Sequence, residues 1–134
     1  MGAVRMTNRG KWVSEKAQRY MDYKTAVRIA VRKQFKAVEP LQTPIRIKEI
    51  VYVMPVPKRG RAARKVDGRV TTRTVKPGDY HLAKPDIDNL FKGLTDALNG
   101  VVWEDDKLIC EIGRQVKIYG DPPRIEIEIE EVSA

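Results

Sequence analysis

Between Pro85 and Gly100 the apolar residues Ile87, Leu90, Phe91, Leu94, Ala97 and Leu98 recur every three or four positions, so a helix over this stretch carries one continuous apolar stripe. Such a stripe must be buried against another element, and the proline before it and the glycine after it set where the helix starts and stops. Downstream the period changes. Residues 101–103 read as a short strand, 104–107 as a polar turn and 108–119 as a longer strand whose Leu108, Cys110, Ile112, Val116 and Ile118 face inward, which together make a hairpin. Residues 120–123 form a second turn. Beyond it Ile125, Ile127 and Ile129 alternate with glutamates, as in a strand with one buried and one wet face.

Upstream, Ser14 is a suitable N-cap with Glu15 in the first turn, and Tyr20, Tyr23, Val27, Ala30 and Val31 recur at helical spacing up to about Ala37. The other face of this first helix carries Lys16, Arg19, Arg28, Arg32 and Lys36, which is either a basic stripe for a ligand or an ordinary solvated surface. Pro40 and Pro44 close that region, and residues 45–54, rich in Ile, Val and Tyr with partial alternation, read as a central strand. From 58 to 76 the chain holds Lys58, Arg59, Arg61, Arg64, Lys65, Arg69, Arg73 and Lys76 against a single acid, Asp67. The expectation is a long basic loop with a short β-branched run at 70–75, which grips a phosphate backbone and orders on binding; the plainer alternative is a floppy basic hairpin that aids solubility. With no internal repeat and no linker-like break, residues 1–134 are expected to form one compact domain of the α+β class, two helices packed on a mixed or mainly antiparallel sheet.

The charge is divided unevenly. The formal net charge of +8 hides 20 Lys and Arg against 6 Asp and Glu in residues 1–80, and 6 against 12 in residues 81–134. A basic half suits a polyanion such as nucleic acid or an acidic membrane surface, whereas a protein that merely coated phosphates would have little use for the acidic half. Holding metal ions against a phosphate needs both signs. One cysteine, Cys110, excludes an internal disulfide and a cysteine-based zinc site, and the lone His81 leaves oxygen ligands and therefore hard cations. No stretch approaches the roughly 18 apolar residues of a membrane span, so the expected location is the cytoplasm.

Two acidic clusters carry the candidate chemistry. Asp86, Asp88, Asn89 and Lys92 gather at the start of the second helix; with Ile87, Leu90 and Phe91 facing the core, Asp88 and Lys92 share an exposed face, and Asp86 stands at the cap. Taken alone, a capping aspartate and an Asp–Lys pair are ordinary helix stabilisation. The second cluster, Glu104, Asp105 and Asp106, follows the tight stop at Gly100, and a short return strand would carry it back along a helix of roughly 20 Å. Polar turns of this composition are common too, yet three adjacent acids repel one another. A cation shared by Asp86, Asp88 and one of these acids would relieve both repulsions and would supply a Lewis acid and an activated water for phosphodiester hydrolysis, while Lys92 contacts a phosphate or stabilises developing charge.

The run Lys84-Pro85-Asp86-Ile87-Asp88-Asn89-Leu90, then Asp96-Ala97-Leu98-Asn99-Gly100-Val101-Val102-Trp103, Asp105-Asp106 and Tyr119-Gly120-Asp121-Pro122-Pro123 resembles the RusA family of Holliday-junction resolvases. The similarity is closest over residues 84–131 and weaker at Arg5-Met6-Thr7 and at Tyr20-Met21-Asp22-Tyr23-Lys24. The resemblance implies a homodimeric, magnesium-dependent endonuclease, of bacterial or prophage origin, that makes paired nicks in four-way DNA junctions. It also implies that Asp86, Asp88 and Asp106 bind magnesium, with manganese as an alternative, and that Lys92 is the essential lysine. The long basic insertion at 58–76 departs from the family pattern. Two rivals remain: a non-catalytic DNA-binding protein whose acids are only caps and turns, and a metal-dependent nuclease for other branched DNA such as flaps and forks.

Overall fold

The computed structural model describes residues 15–34 and 39–133. They form helix α1 (Glu15–Gln34), strands β1 (Ile45–Pro55), β2 (Arg61–Val66) and β3 (Arg69–Thr74), helix α2 (Ile87–Leu98), and strands β4 (Ile109–Gly120) and β5 (Arg124–Glu131). The class is α+β, as the two periodicities demand. The expected cap at Ser14 and the helix end near Ala37 lie outside the described residues. The described residues divide into two compact units, one containing 15–34, 39–45, 88–110 and 131–133, the other 46–87 with 111–130.

In the first unit the apolar stripe of α2 buries Leu90, Leu94, Ala97 and Leu98, and fully buried Trp103 and Ile45 belong to the same core. Arg28 of α1 caps the other end of α2, its Nε donating to the carbonyl of Ala97 at 3.0 Å. That places one residue of the supposed basic stripe on orphan helix carbonyls, where a cation is favourable. The apolar positions of α1 are only partly covered: Tyr23, Val27 and Val31 are half-buried, while Ala30 is exposed and Ile29 is 50% exposed.

The expected hairpin of 101–103 with the following strand does not form. Gly100 adopts φ +78°, and the amides of Val101 and Val102 both donate to Leu98, so these residues are spent on a tight turn. Trp103 then makes isolated bridges to Leu41 and Asn99, and the Leu41 amide donates to Val102 and its carbonyl accepts from Glu104. The indole N–H, fully enclosed, donates to Asn99 Oδ1 at 2.7 Å, which satisfies a donor that would otherwise be costly to bury.

The second unit centres on β1, which lies between β4 and β5 as the sequence predicted. Side-chain pairs give the strand directions. Arg46 meets Glu111 and Glu49 meets Arg114, so numbering rises together on β1 and β4, a parallel pair. Arg46 also meets Glu130 and Lys48 meets Glu128, so β5 runs antiparallel and the sheet is mixed. These exposed ion pairs add little stability. The core comes from Ile47, Ile50, Tyr52, Val53, Val116 and Tyr119. The alternation expected along β4 holds only at its C-terminal end, for Cys110 and Ile112 are exposed while Val116 is buried.

The long basic loop is in fact a regular antiparallel ribbon. β2 and β3 pair from Arg61↔Thr74 to Val66↔Arg69, closed by Asp67 and Gly68, both with positive φ. An Asp-Gly pair between two strands is the residue choice for a two-residue hairpin turn. On the outer edge of β4, residues 78–81 add backbone bonds: Gly78 donates to Tyr119 at 2.8 Å, Tyr119 to Asp79 at 2.9 Å and His81 to Lys117 at 3.0 Å.

Gly113 is a close approach of β4 to β1. A Cβ there would overlap the backbone carbonyl oxygen of Lys48, which cannot swing away as a side chain can. Gly113→Ala is therefore expected to lose about 1–3 kcal/mol of stability in urea unfolding, the cost of forcing extra volume into a packed region; an unchanged midpoint would show that the strands separate freely.

Candidate functional site

The start of α2 presents the first acidic cluster. Asp88 lies in the first helical turn and Lys92 one turn later; both are exposed, as is Asn89 between them. This is the shared exposed face that the stripe of Leu90 and Leu94 requires on the opposite side. Asp86 precedes the helix and is exposed as well.

The second cluster is a single 3-10 turn, Asp106–Leu108, rather than a hairpin loop. Its two aspartates have different jobs. Asp105 is the N-cap, its carboxylate accepting the Lys107 amide at 3.0 Å, and that bond holds its pKa below the usual range. Asp106 makes no such cap. Its exposed carboxyl is pushed above the usual range, first by the hydrogen bond shared with Asp105, then by burial and by the negative charges of Asp105 and Asp96. Sequence reasoning did not single out Asp96, although its place one turn beyond Lys92 on α2 made it visible.

In the second unit, Lys117 of β4 reaches the segment that leads to Asp86. Its ammonium donates to the carbonyls of Ala83 at 2.6 Å and Pro85 at 2.7 Å. Burial lowers its pKa, and the Asp86 carboxylate opposes that shift. Only the alternation of β4, which sets Lys117 on the face opposite buried Val116 and half-buried Ile118, marks this residue in the sequence. His81, whose ring lies 4.8 Å from that of Tyr119, is held below its usual pKa by burial and by the charges of Lys117 and Arg73.

The basic residues of 58–76 are spread over the ribbon and its approaches. Lys58, Arg59 and Lys76 flank it and are exposed, as are Arg61, Lys65 and Arg69 on the strands; the side chain of Arg64 lies outside the described residues. Arg73 is half-buried and donates to the Tyr80 carbonyl at 2.9 Å. Strand alternation sets Arg61 and Lys65 on one face and Arg69 and Arg73 on the other, so the charge is two-sided. Beside the ribbon lies a cavity of about 350 Å³ lined by Ala62, Ala63, Lys65, Arg73, Leu82 and Tyr119.

Among the described residues no three His, Cys, Asp or Glu side chains are gathered as a metal-binding group. Taken one by one, Asp86, Asp88 and Asp106 are exposed carboxylates, the oxygen donors that hard divalent cations take, and a cation would relieve the negative charge around Asp106. No helix among the described residues is long and apolar enough to cross a membrane.

Comparison with known proteins bears on all of these residues. An uncharacterized protein of Bacillus subtilis (strain 168), YqaN, is 34% identical over 91 residues, which is 68% of this chain and 60% of that protein. The match thus spans less than two thirds of the relative's length. No solved structure matches the chain. The family model described as Endodeoxyribonuclease RusA matches residues 2–130, nearly the whole sequence, and the chain therefore belongs to the RusA endodeoxyribonuclease family.

Proposed function

We propose that this protein is a structure-specific endodeoxyribonuclease that resolves four-way DNA junctions by metal-dependent paired nicking, in recombination and repair. Family membership carries the reading, and the chemistry of the clusters supports it. Asp86, Asp88 and Asp106 would hold the divalent cation, magnesium or manganese. When bound, the metal supplies a Lewis acid for the phosphodiester and lowers the pKa of a coordinated water.

The protein's own groups do the rest. Asp105 stays engaged as a cap and keeps the turn in shape, which leaves Asp106 as the ligand of the pair. Lys92, an exposed cation on the same helix face as Asp88, binds the scissile phosphate and stabilises the charge that builds on it. The ribbon β2–β3, basic on both faces, grips the arms of the junction; B-form DNA admits a two-stranded ribbon in its major groove. Two nicks in strands related by a two-fold axis call for two copies, so the active form is a C2 homodimer, with the half-covered apolar face of α1 a candidate interface. Flaps and forks are the alternative substrates, and a panel of labelled junction, fork, flap and duplex DNA with magnesium distinguishes them. Equal cutting of all four would end the junction-resolving reading.

Asp86→Asn, Asp88→Asn and Asp106→Asn are each expected to abolish cleavage while retaining or tightening junction binding in the absence of metal, because an anion beside DNA has been removed. Asp106→Asn should also raise the melting temperature of the metal-free protein slightly, since it relieves repulsion from Asp105 and Asp96. Asp105→Asn should be milder in activity; a reversed order within the pair would show that the cap, not Asp106, binds the metal. Lys92→Ala is expected to lower kcat by about 10²–10³-fold with nearly unchanged affinity, as for other groups that act on transition-state charge. A rise in Kd alone would make it a phosphate clamp. Neutralising Arg61, Lys65 and Arg69 together should flatten the dependence of log affinity on log salt by about one unit for each phosphate that is no longer neutralised.

A further inference from the structure

Residues 78–81 are laid along the edge of β4 by three backbone hydrogen bonds, the last from His81 to Lys117. Beyond His81 the connection is carried by a side chain. The Lys117 ammonium takes the carbonyls of Ala83 and Pro85, which bracket Lys84 just before Asp86. A lysine on a strand normally extends its ammonium into water. This one gives up part of its hydration to hold two backbone oxygens, a cost that both hydrogen bonds offset.

The choice of a lysine is informative. Any neutral donor could tie one carbonyl, but three N–H groups on one tetrahedral centre can hold two carbonyls and still leave a third donor and a full positive charge. The charged group that faces it is the Asp86 carboxylate. Asp86 thus emerges from a backbone gripped at residues 83 and 85, in the field of the same cation that grips it. An exposed carboxylate on a free coil would have to be ordered when it takes a ligand; one on a tethered backbone loses less conformational entropy.

We propose that Lys117 is a positioning residue for Asp86: by clamping the Ala83 and Pro85 carbonyls it fixes the backbone that presents this carboxylate to the metal. The inference rests on the assignment of Asp86 as a metal ligand. Lys117 touches neither metal nor DNA in this role. Its effect runs through the geometry of Asp86, in the way that outer partners of a metal ligand set its orientation.

The test uses Lys117→Met, which keeps the length and apolar stem but removes the donors and the charge, and Lys117→Arg, which restores a charge and two donors. Amide exchange is followed at residues 83–88 of the metal-free protein, Mn2+ binding by calorimetry without DNA, and junction affinity in EDTA. For Lys117→Met the expected result is faster exchange at Asp86 and Ile87 with protection of β1 intact, about tenfold weaker Mn2+ binding, and a matching rise in the Mg2+ needed for half-maximal cleavage, within the range seen when outer partners of metal ligands are removed. Junction affinity should hold, and Lys117→Arg should recover most of the metal affinity. Wild-type metal binding in Lys117→Met would overturn the proposal. So would a loss of activity fully explained by weaker junction binding, which would make Lys117 a phosphate contact, or a loss of protection throughout β1, which would make it a general structural residue. If Lys117→Met does not fold, Lys117→Gln, which keeps an amide NH2 but loses the charge and part of the reach, decides the matter by the same Mn2+ titration. A wild-type protein that binds no Mn2+ sinks the metal assignment itself, whereas equal binding by wild type and variant sinks only the role of Lys117.

Discussion

The carbonyl oxygen of Lys48 occupies the place where any residue but glycine at position 113 would carry its Cβ, and much of the second unit follows from that close approach. Glycine at 113 lets β4 come this close to β1, to which it runs parallel. A slip of one residue would turn every β4 side chain to the opposite face, exchanging Lys117 for Val116 or Ile118. In the observed register Val116 and Tyr119 enter the core, and Lys117 faces the segment that runs to Asp86. The outer edge of β4 takes the backbone of residues 78–81, which also shields part of an otherwise open strand edge. The register of β4 thus sets where Lys117 meets the Ala83 and Pro85 carbonyls.

The acidic turn of the first unit shows two neighbours of the same type put to opposite uses. Asp105 has an amide donor and is stabilised as the anion, while Asp106, which shares a hydrogen bond with Asp105 and lies near the negative charges of Asp105 and Asp96, is destabilised as the anion. Such a setting suits the ligand role proposed for Asp106, because a bound cation would cancel the repulsion.

Elements whose pattern is set by burial alone were readable in the sequence. The stripe of α2, the central position of β1 and the alternating isoleucines of β5 depend on local periodicity, and each is found where expected. Elements set by turn chemistry or by distant partners were harder to see. Asp67 and Gly68 specify a tight hairpin, but its strands are mostly exposed Arg, Lys and Thr, so no burial pattern marks the pairing. Residues 101–103 have strand-like side chains, yet Gly100 and the two amides that return to Leu98 make a turn of them, and Trp103 finds its backbone partner far upstream at Leu41. At the candidate site, Asp88 and Lys92 followed from helical spacing, whereas Lys117 depended on which segment lies beside β4, something no local pattern records.

The burial of Trp103 has an optical consequence. Its indole is shut off from water, with its N–H held by Asn99, so its emission belongs at the short-wavelength end of the tryptophan range and responds little to aqueous quenchers. Two residues later the chain reaches the capping aspartate of the acidic turn. With the other tryptophan replaced, as in Trp12→Phe, the protein carries an intrinsic lamp beside the very turn whose shape matters, and a red shift would report that this turn had loosened.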